Sequence, residues 1–242
     1  VDRVFLPSSA REGELFVVKG AERRHLGALR LRAGERFLAT DGEGREFVLE
    51  TREVERARVV ARVVEEQARP RGPGARVTLA VAPPKGTRME TAVEKATECG
   101  VGRIVPIETE RSVVRGRGET ERLARWRRVA ASATAQSGSA WTPEVLPFTS
   151  FADALEPASG RLLLAHPSPE ATSMADAIAG IADGTVTLLV GPEGGFTDAE
   201  IGAAKGRGAV TVCLGPNRLR TETAAIVGVA LAIAALGGER RR

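Results

Sequence analysis

Thr187–Phe196 reads TLLVGPEGGF. Thr187 to Val190 closes a run of leucine and β-branched residues, and Gly191, Pro192, Glu193, Gly194 and Gly195 then exclude regular structure. Thr197 and Glu200, three residues apart, form a capping box that opens a helix. The stretch therefore predicts strand, tight glycine turn, helix. Glycines there permit positive φ and close approach of a ligand to the main chain, and ligands of open α/β sheets sit at the C-terminal ends of parallel strands. A plain βα turn carries the same local signals, so a second stretch matters. Val210–Leu214 is another strand running into Gly215, Pro216, Asn217, Arg218, Leu219 and Arg220, with Thr221–Ala224 opening a helix. Two such turns from neighbouring strands can face one pocket. Neither matches G-x-x-x-x-G-K-[ST] or G-x-G-x-x-G, which disfavours a P-loop or dinucleotide fold.

Around these turns the chain alternates. Strands are expected at Val77–Ala82, Arg103–Ile107, Leu162–Ala165, Val186–Val190 and Val210–Leu214. Helices are expected from a Thr87/Glu90 capping box to Gly100, over Glu119–Gln136, and over Glu222–Leu236, the last apolar nearly all round and so deeply buried. Five strands alternating with helices predict an α/β domain, its parallel sheet covered on both faces, over residues 73–242. Residues 1–68 differ: short β-type runs at Leu15–Val18, Arg36–Thr40, Glu46–Glu50 and Val54–Val64, hairpin chemistry at Asp41–Gly44 and a short helix at His25–Leu31 suggest a small barrel. Gln67–Gly74, QARPRGPG, reads as the linker.

Composition narrows the class. Hydrophobic residues at 43% and charged residues at 27% exclude a disordered chain. Cys99 and Cys213 make neither a disulfide framework nor a metal site, and both read as buried free thiols. No secretory leader is recognisable, and the longest apolar run, Ala224–Leu236, is too short to span a bilayer, so no membrane partner and a cytoplasmic location are expected. Arginines number 31 against 4 lysines, and asparagine and glutamine are scarce, as in a thermophile or a G+C-rich genome. The positive charge is concentrated: in residues 71–142, 13 basic and 7 acidic side chains leave a net +6. That suits a polyanion footprint, or else a solvated helix face.

GPEGGF followed by LGPNRLRTETA resembles the 16S ribosomal RNA uridine-N3 methyltransferase family, of the knotted, S-adenosylmethionine-dependent SPOUT superfamily. The resemblance extends through Arg3–Phe5, His25–Arg30, Glu94–Val101, Glu110–Ser112 and Ala135–Gly138, with Ser139 standing where the family usually has arginine. It implies a trefoil-knotted parallel-sheet methyltransferase domain preceded by a PUA-like RNA-binding β-barrel. It also implies a homodimer, S-adenosylmethionine as cofactor and 16S ribosomal RNA, free or in the small ribosomal subunit, as partner. The rival readings are a non-catalytic RNA-binding or ribosome-assembly protein, and a knotted methyltransferase acting on another RNA.

On that resemblance three loops enclose the cofactor: the turn at His166–Pro167, Gly191–Gly195 and Gly215–Arg220. The expected cofactor contacts are His166, Val190, Gly191, Glu193, Gly195, Leu214, Gly215, Leu219, Thr223 and Ala224. Main-chain groups of Gly191, Leu214, Gly215 and Leu219 suit an adenine edge. Glu193 or Glu222 can oppose the sulfonium, and Glu222 equally suits the first turn of a helix. The N3 proton of uridine is retained at neutral pH, so an arginine beside the uracil carbonyls would favour the anion. Arg220 is the first candidate, with Arg3 and Arg30 of the barrel behind it. His25 is open between a structural role and proton abstraction, and is grouped with the RNA-facing residues. Those are Arg111 and Arg115, on a loop that also carries Arg117, and Arg122, Arg125 and Arg128 at i, i+3 and i+6 of a helix whose Leu123, Trp126, Ala130 and Ala133 face the core. With no tyrosine in the chain, phosphate contacts and shape are expected to outweigh base stacking.

Overall fold

The computed structural model describes residues 3–116, 118–156, 160–181 and 184–237; the side chains of Ala21, His25 and Ala28 fall outside the described set. Arg117, Gly238 and Arg240 to Arg242 also lie outside it. The chain forms two compact units: residues 1–71 with 131–142, and residues 72–130 with 143–242.

The first unit is a six-stranded sheet of β1 (Arg3–Phe5), β2 (Arg11–Glu12), β3 (Leu15–Lys19), β4 (Arg36–Thr40), β5 (Arg45–Val54) and β6 (Arg58–Ala68), in the order β1-β4-β5-β6-β3-β2. Only β1 and β4 run parallel. Register shifts at Val48/Leu49 and Thr51/Glu53 mark bulges in the β5–β6 ladder, and bulges bend a strand. Leu6, Phe16, Val18, Phe37, Phe47 and Leu49 fill the core of this unit.

Three boundaries differ from expectation. The helix α1 is Gly20–Ala28, earlier than the expected His25–Leu31, because Arg30 takes a positive φ of 49° and ends it. Val54 ends β5 rather than opening a strand. The turn after it is Glu55-Arg56-Ala57, with Glu55 N–H bonded to the Arg58 carbonyl and Arg58 paired to Glu53 and Glu55, so it lacks the usual glycine, proline or asparagine signal. Residues 131–142 join the first unit, outside the expected 1–68. Gly44 N–H donates to the Ala140 carbonyl, Thr142 N–H donates to the Gly42 carbonyl, and Trp141 Nε1 donates to the Arg69 carbonyl. Gly42 and Gly44 have φ of 74° and 101°. A Cβ on Gly44 would come within 2.2 Å of the Trp141 ring, so the Asp41–Gly44 turn doubles as the seat of Trp141.

The second unit is built on parallel strands β7 (Val77–Val81), β8 (Arg103–Glu108), β11 (Arg161–Ala165), β12 (Val186–Val190) and β13 (Val210–Val212), in the order β8-β7-β12-β11-β13. Two-residue strands β9 (Glu144–Val145) and β10 (Thr149–Ser150) extend it beside β8. Alternate residues face opposite sides. Leu79, Val81, Leu163, Leu188 and Val190 pack under α2 (Arg88–Cys99), α5 (Met174–Ile178), α7 (Thr221–Gly237) and Trp126 of α3 (Glu119–Ser137). Ala80, Ala82, Leu162, Leu164 and Leu189 pack under α4 (Phe151–Ala154) and α6 (Asp198–Gly206). The sheet is thus covered on both faces, as its apolar strands require.

Of the two expected capping boxes, Thr197/Glu200 forms, with both reciprocal bonds. Thr87/Glu90 does not: Thr87 sits near ψ 0° with no side-chain cap, and Glu90 instead pairs with Arg125 at 2.7 Å. Gly100 is the left-handed C-cap of α2, φ 91°.

The final helix is less buried than its composition suggests. Thr221, Ala225, Gly228, Val229, Ala232 and Leu236 face α2, α5, β7 and β12, while Thr223, Ala230, Leu231 and Ala234 are exposed. Close packing depends on Gly228, where a Cβ would come 2.5 Å from Leu188 Cδ2. Gly228→Val is expected to destabilise the protein by about 1–3 kcal/mol through overpacking, read as a lower urea midpoint with an unchanged slope.

Candidate functional site

The ends of three strands lie level. Ala165 pairs with both Val190 and Val212, so β11, β12 and β13 stop at one line and their loops leave the sheet together. The two glycine turns are not on adjacent strands, since β11 lies between them, and its own end, Ala165–Pro167, supplies the middle wall. A pocket of about 540 Å³ opens there, lined by all three loops and by Arg111, Thr221 and Ala224. That volume suits a small-molecule ligand.

The walls divide by chemistry. Ala165, Val190, Phe196, Leu214 and Leu219 give an apolar lining, and Gly191, Gly194, Gly195 and Gly215 expose main chain. Gly195 has φ 71° and Gly215 φ 146°, conformations that exclude most side chains without strain. Gly191 is glycine for another reason: a Cβ would press on the Phe196 ring at 3.1 Å, and Phe196 is itself buried against Phe151.

Hydrogen bonds hold the irregular loops in place. Arg111 Nη1 donates to the Gly194 carbonyl at 2.9 Å and to the Phe196 carbonyl at 3.2 Å. Arg218 Nη2 donates to the Glu193 carbonyl at 3.2 Å. Thr221 Oγ1 donates to the Gly191 carbonyl at 3.1 Å, which ties the first turn of α7 to the end of β12. Glu110 N–H donates to Glu200 Oε1 at 2.8 Å, so the loop after β8 docks on the start of α6. Beside the pocket, Arg88 pairs with Glu193 at 2.7 Å and lies 4.0 Å from Glu222.

Most of the expected cofactor residues meet here: His166, Val190, Gly191, Glu193, Gly195, Leu214, Gly215, Leu219 and Ala224 all line the pocket, as does Arg220 at the start of α7. Thr223 does not line it. At about 100° per residue it points away from Thr221 and Ala224 and is exposed, and Thr221 takes the place expected of it. The expected RNA-facing residues are dispersed. Arg111 is engaged with the glycine loop. Arg115 is exposed, with a long contact of 3.4 Å to the Glu110 carbonyl. Arg122 lies over the Phe148 ring, 5.3 Å from its centre, and donates to the Arg115 carbonyl. Arg125 is paired with Glu90, and Arg128 is exposed.

In the first unit, Arg3 pairs with Glu46 and donates to the Gly138 carbonyl at 2.6 Å, while Arg30 is exposed at the end of α1. His25 lies in α1 with its side chain outside the described set. Ser139, standing where arginine was usual, closes a local turn with Trp141. Sequence reasoning passed over Arg88, Thr221 and Phe196. Arg88 lies more than a hundred residues from Glu193 and Glu222, a distance at which no spacing rule operates. Among the described residues no cluster of histidine, cysteine or carboxylates is arranged to hold a metal ion.

The chain matches the RNA methyltransferase domain over residues 71–233. It is 37% identical over 228 residues to the ribosomal RNA small subunit methyltransferase E of Mycobacterium bovis, covering 90% of this chain and 85% of that one. The protein of the same name from Bacillus subtilis is 29% identical over 223 residues, with coverage of 88% and 87%. The structure of a ribosomal RNA small subunit methyltransferase E from Neisseria gonorrhoeae bound to S-adenosyl methionine superposes with a TM-score of 0.84 at 31% identity, covering 98% of this chain and 97% of that one.

The two thiols, both expected to be buried, differ. Cys213 is exposed on the pocket wall, its Sγ donating to the Gly215 carbonyl at 3.2 Å. Cys99 is half-buried, and burial, with Glu98 nearby, pushes its thiol pKa up. The thiolate is the reactive form, so titration with a thiol reagent near neutral pH is expected to give one fast equivalent, Cys213, and one slow, Cys99. Cys213→Ser should remove the fast phase alone.

Proposed function

The chain belongs to the family of RNA methyltransferases that includes the ribosomal RNA small subunit methyltransferase E proteins, and on that premise we propose that it transfers a methyl group from S-adenosylmethionine to the N3 atom of a uridine in 16S ribosomal RNA. The observation that carries this reading is the pocket at the level ends of β11, β12 and β13, which combines an apolar lining with two glycine-bearing turns.

Such a lining fits the cofactor. Glycines at positive φ leave open the space that a Cβ would fill, and the main-chain groups of Leu214 and Gly215 suit the donor and acceptor edge of an adenine. Val190, Leu214, Leu219 and Ala224 are the apolar contacts, with His166 on the middle wall. S-adenosylmethionine supplies an activated methyl on a sulfonium, so the protein's share is positioning and exclusion of water. Arg220, exposed on the pocket rim with no side-chain partner among the described residues, stabilises the uracil anion as the N3 proton passes to solvent and the methyl bonds to N3, leaving S-adenosylhomocysteine. Of the two arginines of the first unit, Arg30 is the better second candidate, since the guanidinium of Arg3 is already occupied by Glu46 and Gly138.

The PUA-like first unit, expected over residues 1–68, and the exposed Arg115, Arg125 and Arg128 are proposed to hold RNA, the arginines through phosphates. Arg111 and Arg122 are better placed to shape the site than to bind phosphate. The protein is proposed to act in the cytoplasm as a homodimer. The dimer is supported by α7, where Leu231 is 40% exposed in an open stripe with Ala230 and Ala234, the spacing of one helix face.

Arg220→Ala is expected to leave RNA affinity nearly unchanged and to lower the single-turnover rate at saturation about a hundredfold. Raising the pH should restore part of it, since more uridine then ionises unaided. An RNA affinity that falls while the saturated rate is kept would make Arg220 a binding residue. Leu231→Glu should give a monomer by light scattering and lose activity. Mapping methylated bases in 16S ribosomal RNA after reaction with the pure protein tests the assignment as a whole.

A further inference from the structure

The three nitrogens of the Arg88 guanidinium have separate tasks. Nε donates to the Lys85 carbonyl at 3.1 Å, which fixes the plane of the fork. Nη2 donates to Glu193 Oε1 at 2.7 Å, and Nη1 lies 4.0 Å from Glu222 Oε2. Glu193 is the middle residue of the glycine loop after β12, and its main-chain carbonyl already accepts from Arg218 of the loop after β13. Glu222 stands in the first turn of α7, 12% exposed, and its Oε2 is buried without a hydrogen-bond partner. Both carboxylates therefore face one cation, and the loops after β12 and β13 meet at Glu193. A carboxylate oxygen buried without its counter-charge is costly, so the guanidinium is the group that keeps Glu193 and Glu222 close together.

We propose that Arg88 is a positioning residue for methyl transfer, acting through Glu193 and Glu222 to hold the Gly191–Gly195 loop against the start of α7 and so to set the shape of the cofactor pocket. The proposal rests on the reading of that pocket as an S-adenosylmethionine site. Arg88 does not line the pocket, and its effect is on the loop. Lysine carries the charge but lacks the planar fork that donates to Glu193 and the Lys85 carbonyl while facing Glu222.

The test measures S-adenosylmethionine affinity by calorimetry for Arg88→Met, Arg88→Lys, Glu193→Gln and Arg88→Met/Glu193→Gln, together with amide hydrogen exchange over Gly191–Phe196. Arg88→Met is expected to weaken cofactor binding about tenfold, as for residues of one contact network, and Arg88→Lys to fall between it and the original protein. The double variant should bind no more weakly than Arg88→Met. The KM for cofactor should rise while the rate at saturating cofactor stays near the original, because only binding is lost. Loop amides should exchange faster in Arg88→Met. Unchanged affinity in Arg88→Met, no recovery with lysine, or additive losses in the double variant would overturn the proposal. If Arg88→Met does not fold, Arg88→Lys carries the expectation alone, with a smaller loss of affinity and faster exchange of the loop amides. If the original protein itself fails to bind S-adenosylmethionine, the cofactor reading fails, and the exchange rates alone then decide whether Arg88 holds the loop.

Discussion

Pairing of Ala165 with Val190 on one side and Val212 on the other is the constraint on which the pocket depends. Parallel strands in this register end at one level, so three loops with no structure in common leave the sheet together. A slip of one residue in β12 would turn Leu188 and Val190 from the face under α7 to the face under α6 and would move the Gly191–Gly195 loop along the strand direction by about 3.3 Å. The two hydrophobic layers thus guard the register, and the register places the ligand-facing glycines.

Above that edge the main chain is irregular, and guanidinium groups satisfy its carbonyls. Arg111 serves Gly194 and Phe196, and Arg218 serves Glu193, from elements that approach the loop separately. Thr221 serves Gly191. A turn rich in glycine has much conformational entropy to lose, and these long-range bonds hold it in one conformation while the space a Cβ would take at Gly195 stays open. The same bonds change the meaning of the basic segment. Charge counted along the sequence suggests a phosphate-binding stripe, yet Arg111 and Arg122 are engaged within the second unit, and Arg125 stays exposed while paired with Glu90.

The last helix shows how composition and packing part company. Its residues are apolar on every side, but only the face through Ala225, Gly228, Val229 and Ala232 meets the sheet and its helices. The opposite face, with Leu231, stays open. Composition reports what a helix tolerates. Which face it buries follows from where a glycine allows the closest approach, here Gly228 over Leu188.

The family resemblance implied the cofactor-facing residues, most of which line the pocket; the sequence by itself determined the alternation of strands and helices in residues 73–242, the two glycine turns and the capping box at Thr197 and Glu200. These follow from local chemistry: β-branched runs, glycine at positive φ and reciprocal side-chain caps act within a few residues. Thr223 was misplaced and Thr221 overlooked because a helix face cannot be phased until its partner is known. Tertiary structure alone decided that β11 lies between the two glycine-turn strands, that residues 131–142 join the first unit through Trp141, and that Thr87 and Glu90 form no cap once Arg125 takes the carboxylate. It alone also brought Arg88 to Glu193 and Glu222. Each of these is a contact between residues far apart in the chain, chosen by which surfaces the packed sheet and helices bring together, and no local spacing encodes that choice.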